Sequence, residues 1–279
     1  MSLAYGGKYT VEKFYQFFGG GAANASVSLA RQGFSVWLWA KVAEDEFGQA
    51  IYKNLLTERV KLDLIERNLP QTPLSAILLD KEGFRTIINY RAAADTLTYN
   101  EKIKNHLANF DCLALFSLPK WPKEDKLKVL QAAKKMGLKI FLSLHGDEYR
   151  KGLSWVKDYF TCCDILDLNI YELADVLGRK PENIALNKEN YAKILGIPVV
   201  LVTHDKNGSY FYSETQSFWQ SPLTLKRVDT TGAGDAFSSG FLGKYLKTGD
   251  PKKAMQFAAQ NAKAEIEVLG AQAGLLKDK

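Results

Sequence analysis

Between residues 112 and 203, short apolar runs alternate strictly with helical segments, and this alternation restricts the architecture more than any other feature of the chain. The runs cover residues 112–116, 140–144, 165–168 and 199–203, and the spacing predicts helices near 100–108, 124–136, 172–177 and 188–195. Strands that are aliphatic and β-branched on both faces must be covered on both sides, as in a parallel sheet with crossover helices. The expected fold is α/β: a three-layer α/β/α sandwich around a mostly parallel sheet. In such sheets ligands collect at the carboxyl ends of strands, here Ser117, residues 143–146, 169–172 and 203–205.

The N-terminal third reads differently. Residues 35–42 form an apolar run followed by a helix to about residue 58, while 61–66, 74–79 and 85–90 are short strands with no helix between them. With the polar-aromatic residues 4–18 they predict a small antiparallel lid on a single domain spanning 1–279. Arg91 follows the last of these strands, placed to reach an oxygen-rich ligand or simply to lie on the surface.

The densest chemistry lies in the string Val228-Asp229-Thr230-Thr231-Gly232-Ala233-Gly234-Asp235-Ala236-Phe237. It reads as a turn of small residues opening a helix, whose first N–H groups have no partner within the helix and attract anions. Asp235 sits in that first turn. A carboxylate beside a nest of N–H donors suits phosphoryl transfer to an alcohol, as a base for the hydroxyl proton next to dipoles for the developing charge. A helix cap with glycines serving the turn explains the same residues.

A second glycine run, Gly19-Gly20-Gly21-Ala22-Ala23-Asn24, also leads into a helix. Its glycines let the backbone approach a ligand closely, and Asn24 both donates and accepts, which suits a polyol; a flexible loop with an Asn cap is the alternative. Asn169 and Glu172 share one side of a strand-to-helix turn, able to hold water around Mg²⁺ or to cap the helix. Thr203 and Gly208 can cradle a nucleotide phosphate or bracket an ordinary hairpin turn. His145 has no second histidine or cysteine at ligand spacing. Asn261 is the polar exception on the apolar stripe of the last helix, which starts at Pro251.

Composition closes off other classes. The net charge of +6 is spread along the chain, with no basic cluster suited to nucleic acid. No run approaches the ~18 apolar residues of a membrane span, and no secretory leader opens the sequence. Three cysteines, Cys112, Cys162 and Cys163, read as reduced structural thiols, and a cytoplasmic location is expected.

Taken in order, residues 19–24, Asn169-x-x-Glu172, Thr203 to Gly208, and residues 229–235 resemble the ribokinase-like (PfkB) carbohydrate kinases over about residues 19–275. The resemblance implies an ATP-dependent kinase that phosphorylates a primary hydroxyl of a small carbohydrate. Mg²⁺ is implied as cofactor, K⁺ is a further candidate, and a homodimer paired through the lid is expected. It implies that Asp235 is the base and that the amides of Gly232, Ala233 and Gly234 hold the transferred phosphoryl group. Gly20, Gly21 and Asn24 would line the sugar pocket, with Arg91 a candidate contact. Asn169, Glu172, Thr203, Gly208 and Asn261 would serve the nucleotide, and Glu172 the metal.

The chain departs from the family pattern in three places. Too few residues precede Gly19 to supply the family's first strand and its sugar-binding aspartate, so a truncated or degenerate, non-catalytic sugar- or nucleotide-binding relative is an alternative reading, as is a nucleoside kinase. Asp205 stands where the family has the first glycine of its T-x-G-x-x-G loop. Residues 259–261 occupy the adenine region without a clear match.

Overall fold

A computed structural model describes residues 5–79, 85–91, 96–118, 120–144 and 146–277. Residues 5–18 contain no helix or strand, so the lid strand expected at 4–18 is absent from the described part of that segment. Helix α1 (Gly21–Arg31) starts immediately after Gly20 and leads to strand β1 (Ala40–Ala43). The strand expected over 35–42 is thus short: Trp37 makes one isolated bridge to Lys61, and its ring packs on Phe110 instead of extending a ladder. Helix α2 (Glu46–Thr57) is capped by Asp45, which accepts from Gly48 N (2.8 Å) and also from Thr72 N (2.8 Å), tying the helix start to the chain just ahead of Leu74.

Strand β2 (Ile65–Leu69) pairs in parallel with β1, a correction to the antiparallel group expected over 61–91. Only β3 (Leu74–Leu79) and β4 (Arg85–Tyr90) form the antiparallel ribbon, in register from Leu74↔Tyr90 to Leu79↔Arg85. The turn expected at 81–83 lies outside the described residues.

The rest of the chain builds the body. In order come α3 (Glu101–Leu107), β5 (Cys112–Leu115), α4 (Lys123–Lys135), β6 (Lys139–Leu142), α5 (Gly146–Tyr149), α6 (Leu153–Phe160), β7 (Ile165–Asn169), α7 (Ile170–Leu177), α8 (Tyr191–Leu195) and β8 (Val199–Thr203). Then follow β9 (Ser209–Ser213), β10 (Ser217–Gln220), α9 (Ala233–Thr248) and α10 (Pro251–Ile266). One sheet holds six strands in the order β10-β9-β8-β7-β6-β5, parallel from β5 to β8 and antiparallel from β8 to β10.

Strand alternation fixes the three layers. Ile140, Leu142, Leu166, Leu168, Val200 and Val202 pack toward a cluster that includes Leu130, Val156, Leu173 and Tyr191 of α4, α6, α7 and α8. Their neighbours Phe141, Ile165, Val199 and Leu201 point the other way, onto Phe237, Phe241, Met255 and Ala258 of α9 and α10. Helices α9 and α10 press together closely: a Cβ at Gly240 would stand 3.1 Å from Ala258 Cα. Burial on both faces is why these strands read as continuous apolar runs.

Candidate active site

Two helix N-termini meet at one carboxylate. Gly232 adopts a left-handed conformation (φ 81, ψ −4) as the N-cap of α9 and supplies no side-chain cap, so the N–H groups of Gly234 and Asp235 face outward from the helix end, while Ala233 N is turned back to donate to Thr230 O at 3.4 Å. Gly234 is exposed, with nothing within 4 Å of where a Cβ would be, which leaves room for a ligand against its amide. Across the cleft, Gly20 has φ 97 and caps α1. Gly21 lies so near Asp235 that a Cβ there would stand 3.1 Å from Asp235 Oδ1. Asn24, only 3% exposed, donates from Nδ2 to Asp235 Oδ2 at 2.8 Å. The glycine runs at 19–21 and 232–234, more than two hundred residues apart, thus flank one acid, and a hydroxyl entering between them meets Asp235 as an acceptor.

The C-terminal loop after α10 completes this wall. Ala271 blocks any Cβ at Gly232 (2.8 Å), and Gln272 Nε2 donates to Asn24 Oδ1 at 3.0 Å. Gly270 N donates to Asp229 Oδ2 (3.2 Å) and Gly274 N to Glu265 Oε2 (2.9 Å), which fix the loop at both ends. Burial pushes the Glu265 carboxyl up to about 7.

The ends of β7 and β8 form a second group beside the first. Asn169 pairs in register with Thr203, placing them side by side at the carboxyl edge of the sheet. Asn169 and Glu172 make a reciprocal capping box: Asn169 Oδ1 accepts from Tyr171 N and Glu172 N (2.9 Å each), and Glu172 Oε2 accepts from Asn169 N (2.9 Å). The cap uses one oxygen of each side chain. Burial raises the Glu172 carboxyl to about 7. Gly208 (φ 89, ψ −152) turns β8 into β9, and a Cβ there would lie 2.3 Å from Gln220 O, so glycine alone fits. Asp205 has φ 44, the left-handed conformation glycine adopts most easily, and its Oδ2 accepts from Tyr171 Oη at 3.1 Å.

Several residues fall elsewhere or went unforeseen. Asn261 is fully buried; its Nδ2 donates to Ala236 O (2.7 Å) and Ser28 Oγ (3.2 Å), and its Oδ1 accepts from Leu276 N (2.7 Å). With its amide taken up by three segments of the core, it is placed as a strut rather than as an adenine contact. Arg91 stands half-buried just past β4, and His145 lies outside the described residues. Asp167 was missed. Strand alternation turns it toward α9, where it hydrogen-bonds Ser238, whose Oγ also donates to Gly234 O (2.8 Å). Burial raises its carboxyl to about 7, and its Oδ1 has no hydrogen-bond partner. An acid inside an otherwise apolar strand was the available signal. Gln272 was missed too, its signal being a lone polar side chain within residues 270–274.

The model of the pfkB family carbohydrate kinases matches residues 2–278. The chain is 26% identical to a ribokinase of Staphylococcus aureus over 270 residues, covering 95% of this chain and 87% of the relative. It is 27% identical to a 2-dehydro-3-deoxygluconokinase of Bacillus subtilis over 290 residues, with 97% and 87% covered. The structure of Arabidopsis thaliana ribokinase complexed with ribose and ATP superposes with a TM-score of 0.82 at 22% identity, covering 98% of this chain and 89% of that one. A carboxylate held between two glycine-rich helix starts, on a fold shared from end to end, leaves one conclusion: the chain belongs to the pfkB family of carbohydrate kinases and is a phosphotransferase with an alcohol group as acceptor.

Proposed function

We propose that this chain transfers the γ-phosphoryl group of ATP to a primary hydroxyl of a small carbohydrate, in the manner of a ribokinase or fructokinase. The observation that carries the reading is the place of Asp235, 2.8 Å from Asn24 and at the uncapped start of α9. The sugar lies against Gly20, Gly21 and Asn24, with Arg91 a further contact. Asp235 takes the proton of the attacking hydroxyl, and the amides of Gly234 and Asp235 face the charge on the transferred group. Thr203 and Gly208 line the nucleotide side next to Asn169 and Glu172.

Among the described residues no group of three or more acidic, histidine or cysteine side chains is arranged to hold a metal. Mg²⁺ keeps most of its waters and binds through nucleotide phosphates; Glu172 would orient those waters, and the ion would supply charge neutralisation when bound. The buried Glu265 Oε1 has no hydrogen-bond partner, with Arg31 as well as Asp229 and Asp235 in its field, and K⁺ is a further candidate cofactor to be tested. The ribbon of β3 and β4 acts as the lid. Its exposed Ile77, Ile88 and Tyr90 suit pairing of two copies. No helix among the described residues is long and apolar enough to cross a membrane, and the three cysteines are free thiols, in keeping with a reducing cytoplasm.

The test is ADP release with MgATP over a panel of pentoses, hexoses, sugar acids, sugar phosphates and nucleosides, in K⁺ and in Na⁺. One or more carbohydrates are expected to turn over, and Asp235→Asn is expected to lower kcat by about 10³-fold or more with sugar binding retained. Turnover that survives Asp235→Asn would remove the proposed base.

A further inference from the structure

Behind Asp235 runs a line of amides in which every group has one fixed sense. Asn54 Nδ2 donates to Gln272 Oε1 (2.9 Å), Gln272 Nε2 donates to Asn24 Oδ1 (3.0 Å), and Asn24 Nδ2 donates to Asp235 Oδ2 (2.8 Å). Gln272 and Asn24 each present their oxygen to the preceding residue and their nitrogen to the next, so turning either over would set N–H against N–H or O against O. Asn24 and Gln272 are 3% and 9% exposed, which keeps water from repairing such a mismatch.

We infer that Gln272, anchored by Asn54, is a positioning residue that holds the Asn24 amide with its N–H toward Asp235, and thereby sets the ionisation and orientation of that carboxylate. A donated hydrogen bond favours the charged form of an acid, and only the charged form accepts a proton from an alcohol. The relay is scaffold-borne at its far end: Asn54 belongs to α2, and Gln272 follows α10 in a loop tied down by Asp229 and Glu265. Gln272 and Asn54 also line a cavity of about 210 Å³ with Arg31, Glu58 and Phe17, so small changes of shape at either residue are accommodated. The inference rests on the reading of Asp235 as the base.

The sense of the line makes it testable from a distance. Asn54→Asp offers Gln272 an acceptor where it had a donor; Gln272 turns over, Asn24 follows, and an amide oxygen then faces Asp235. Gln272→Glu has the same effect one step nearer. Gln272→Met and Asn54→Leu are neutral and only release the amides. The Asp235 carboxyl is titrated by NMR in ¹³C-Asp-labelled wild type and variants, and kcat is followed against pH.

In the charged variants, the NMR midpoint and the acid limb of kcat are expected to rise by about one pH unit or more; in the neutral ones, by a smaller amount in the same direction. At pH values below the wild-type midpoint a one-unit rise reads as a loss approaching about tenfold in kcat that fades above the variant's midpoint, with KM for ATP unchanged; Asp167 and Glu265, the acids that share the field of Asp235, are common to all the variants. No movement in any variant overturns the inference, and so does movement in the charged variants alone, which is a through-space effect of the added carboxylate. If the wild type phosphorylates nothing, the functional reading fails while the NMR midpoints still decide the relay.

Discussion

Gly21→Ala separates the site from the scaffold. The added Cβ would stand 3.1 Å from Asp235 Oδ1, against about 3.4 Å for an ordinary contact, so the carboxylate must retreat by roughly 0.3 Å (3.4 − 3.1). Its other oxygen is held at 2.8 Å by Asn24, so the retreat is a rotation away from the entering hydroxyl. If a misplacement of about 1 Å costs about 10²-fold, a few tenths cost roughly four- to tenfold in kcat, or about 1 kcal/mol of barrier. Stability should behave the other way. Gly21 lies in α1 without a positive φ, and alanine is the better helix former by up to about 1 kcal/mol, so Tm should hold or rise by up to about 3 °C.

Gly20→Ala is the mirror experiment: its Cβ meets nothing within 4 Å, but φ 97 makes the substitution strained, so Tm falls. Steady-state kinetics and thermal denaturation of the two variants decide the matter. A Gly21→Ala protein with full kcat, or one that loses kcat and Tm together, refutes the geometry argued for the cleft.

Asn261→Ala strands Leu276 N in the core, while Ala236 O and Ser28 Oγ keep Ser239 Oγ and Gln32 Nε2 as donors, and is expected to cost roughly 2 kcal/mol by urea denaturation, with KM for ATP unaltered. Asp205→Gly relieves a left-handed aspartate (φ 44) and removes a negative charge from the β8–β9 turn; KM for ATP is expected to fall and Tm to rise slightly, both measured directly. Asp167, raised by burial from its ordinary 3.8 to about 7, binds its proton more firmly folded than unfolded. That contribution to stability is whole below about pH 4 and is lost as pH rises through about 7. Asp167→Asn keeps a donor for Ser238 and should flatten the decline of Tm between about pH 4 and 7; an unchanged slope would contradict the burial of that acid.

What the chain's pattern conveyed depended on whether a residue's neighbours are close in sequence. The parallel core was legible because each of its strands is buried on both faces and carries its own apolar run. The capping box at Asn169 and Glu172 was legible for the same reason, its partners being three residues apart. The pairing of β2 with β1 was not legible: a strand of mixed burial fits either neighbour, and the choice was made by packing of Trp37 and Trp39 on Phe110 and Trp121. Gln272 is not legible in the sequence because its partners, Asn24 and Asn54, lie more than two hundred residues away. Asn261 showed the reverse. Its polarity on an apolar stripe was noticed, yet three distant core groups, rather than a ligand, account for it.

The tight seam between α9 and α10 bears on how turnover proceeds. With Phe237 and Phe241 sunk in the interior and Gly240 pressed to within a methyl's breadth of Ala258, the rod that carries Asp235 has no slack along its length. Reactants must therefore come to a stationary acid. Whatever motion a catalytic cycle needs must then be taken up outside this pair of helices, so placement of the acid and movement around it can be altered one without the other.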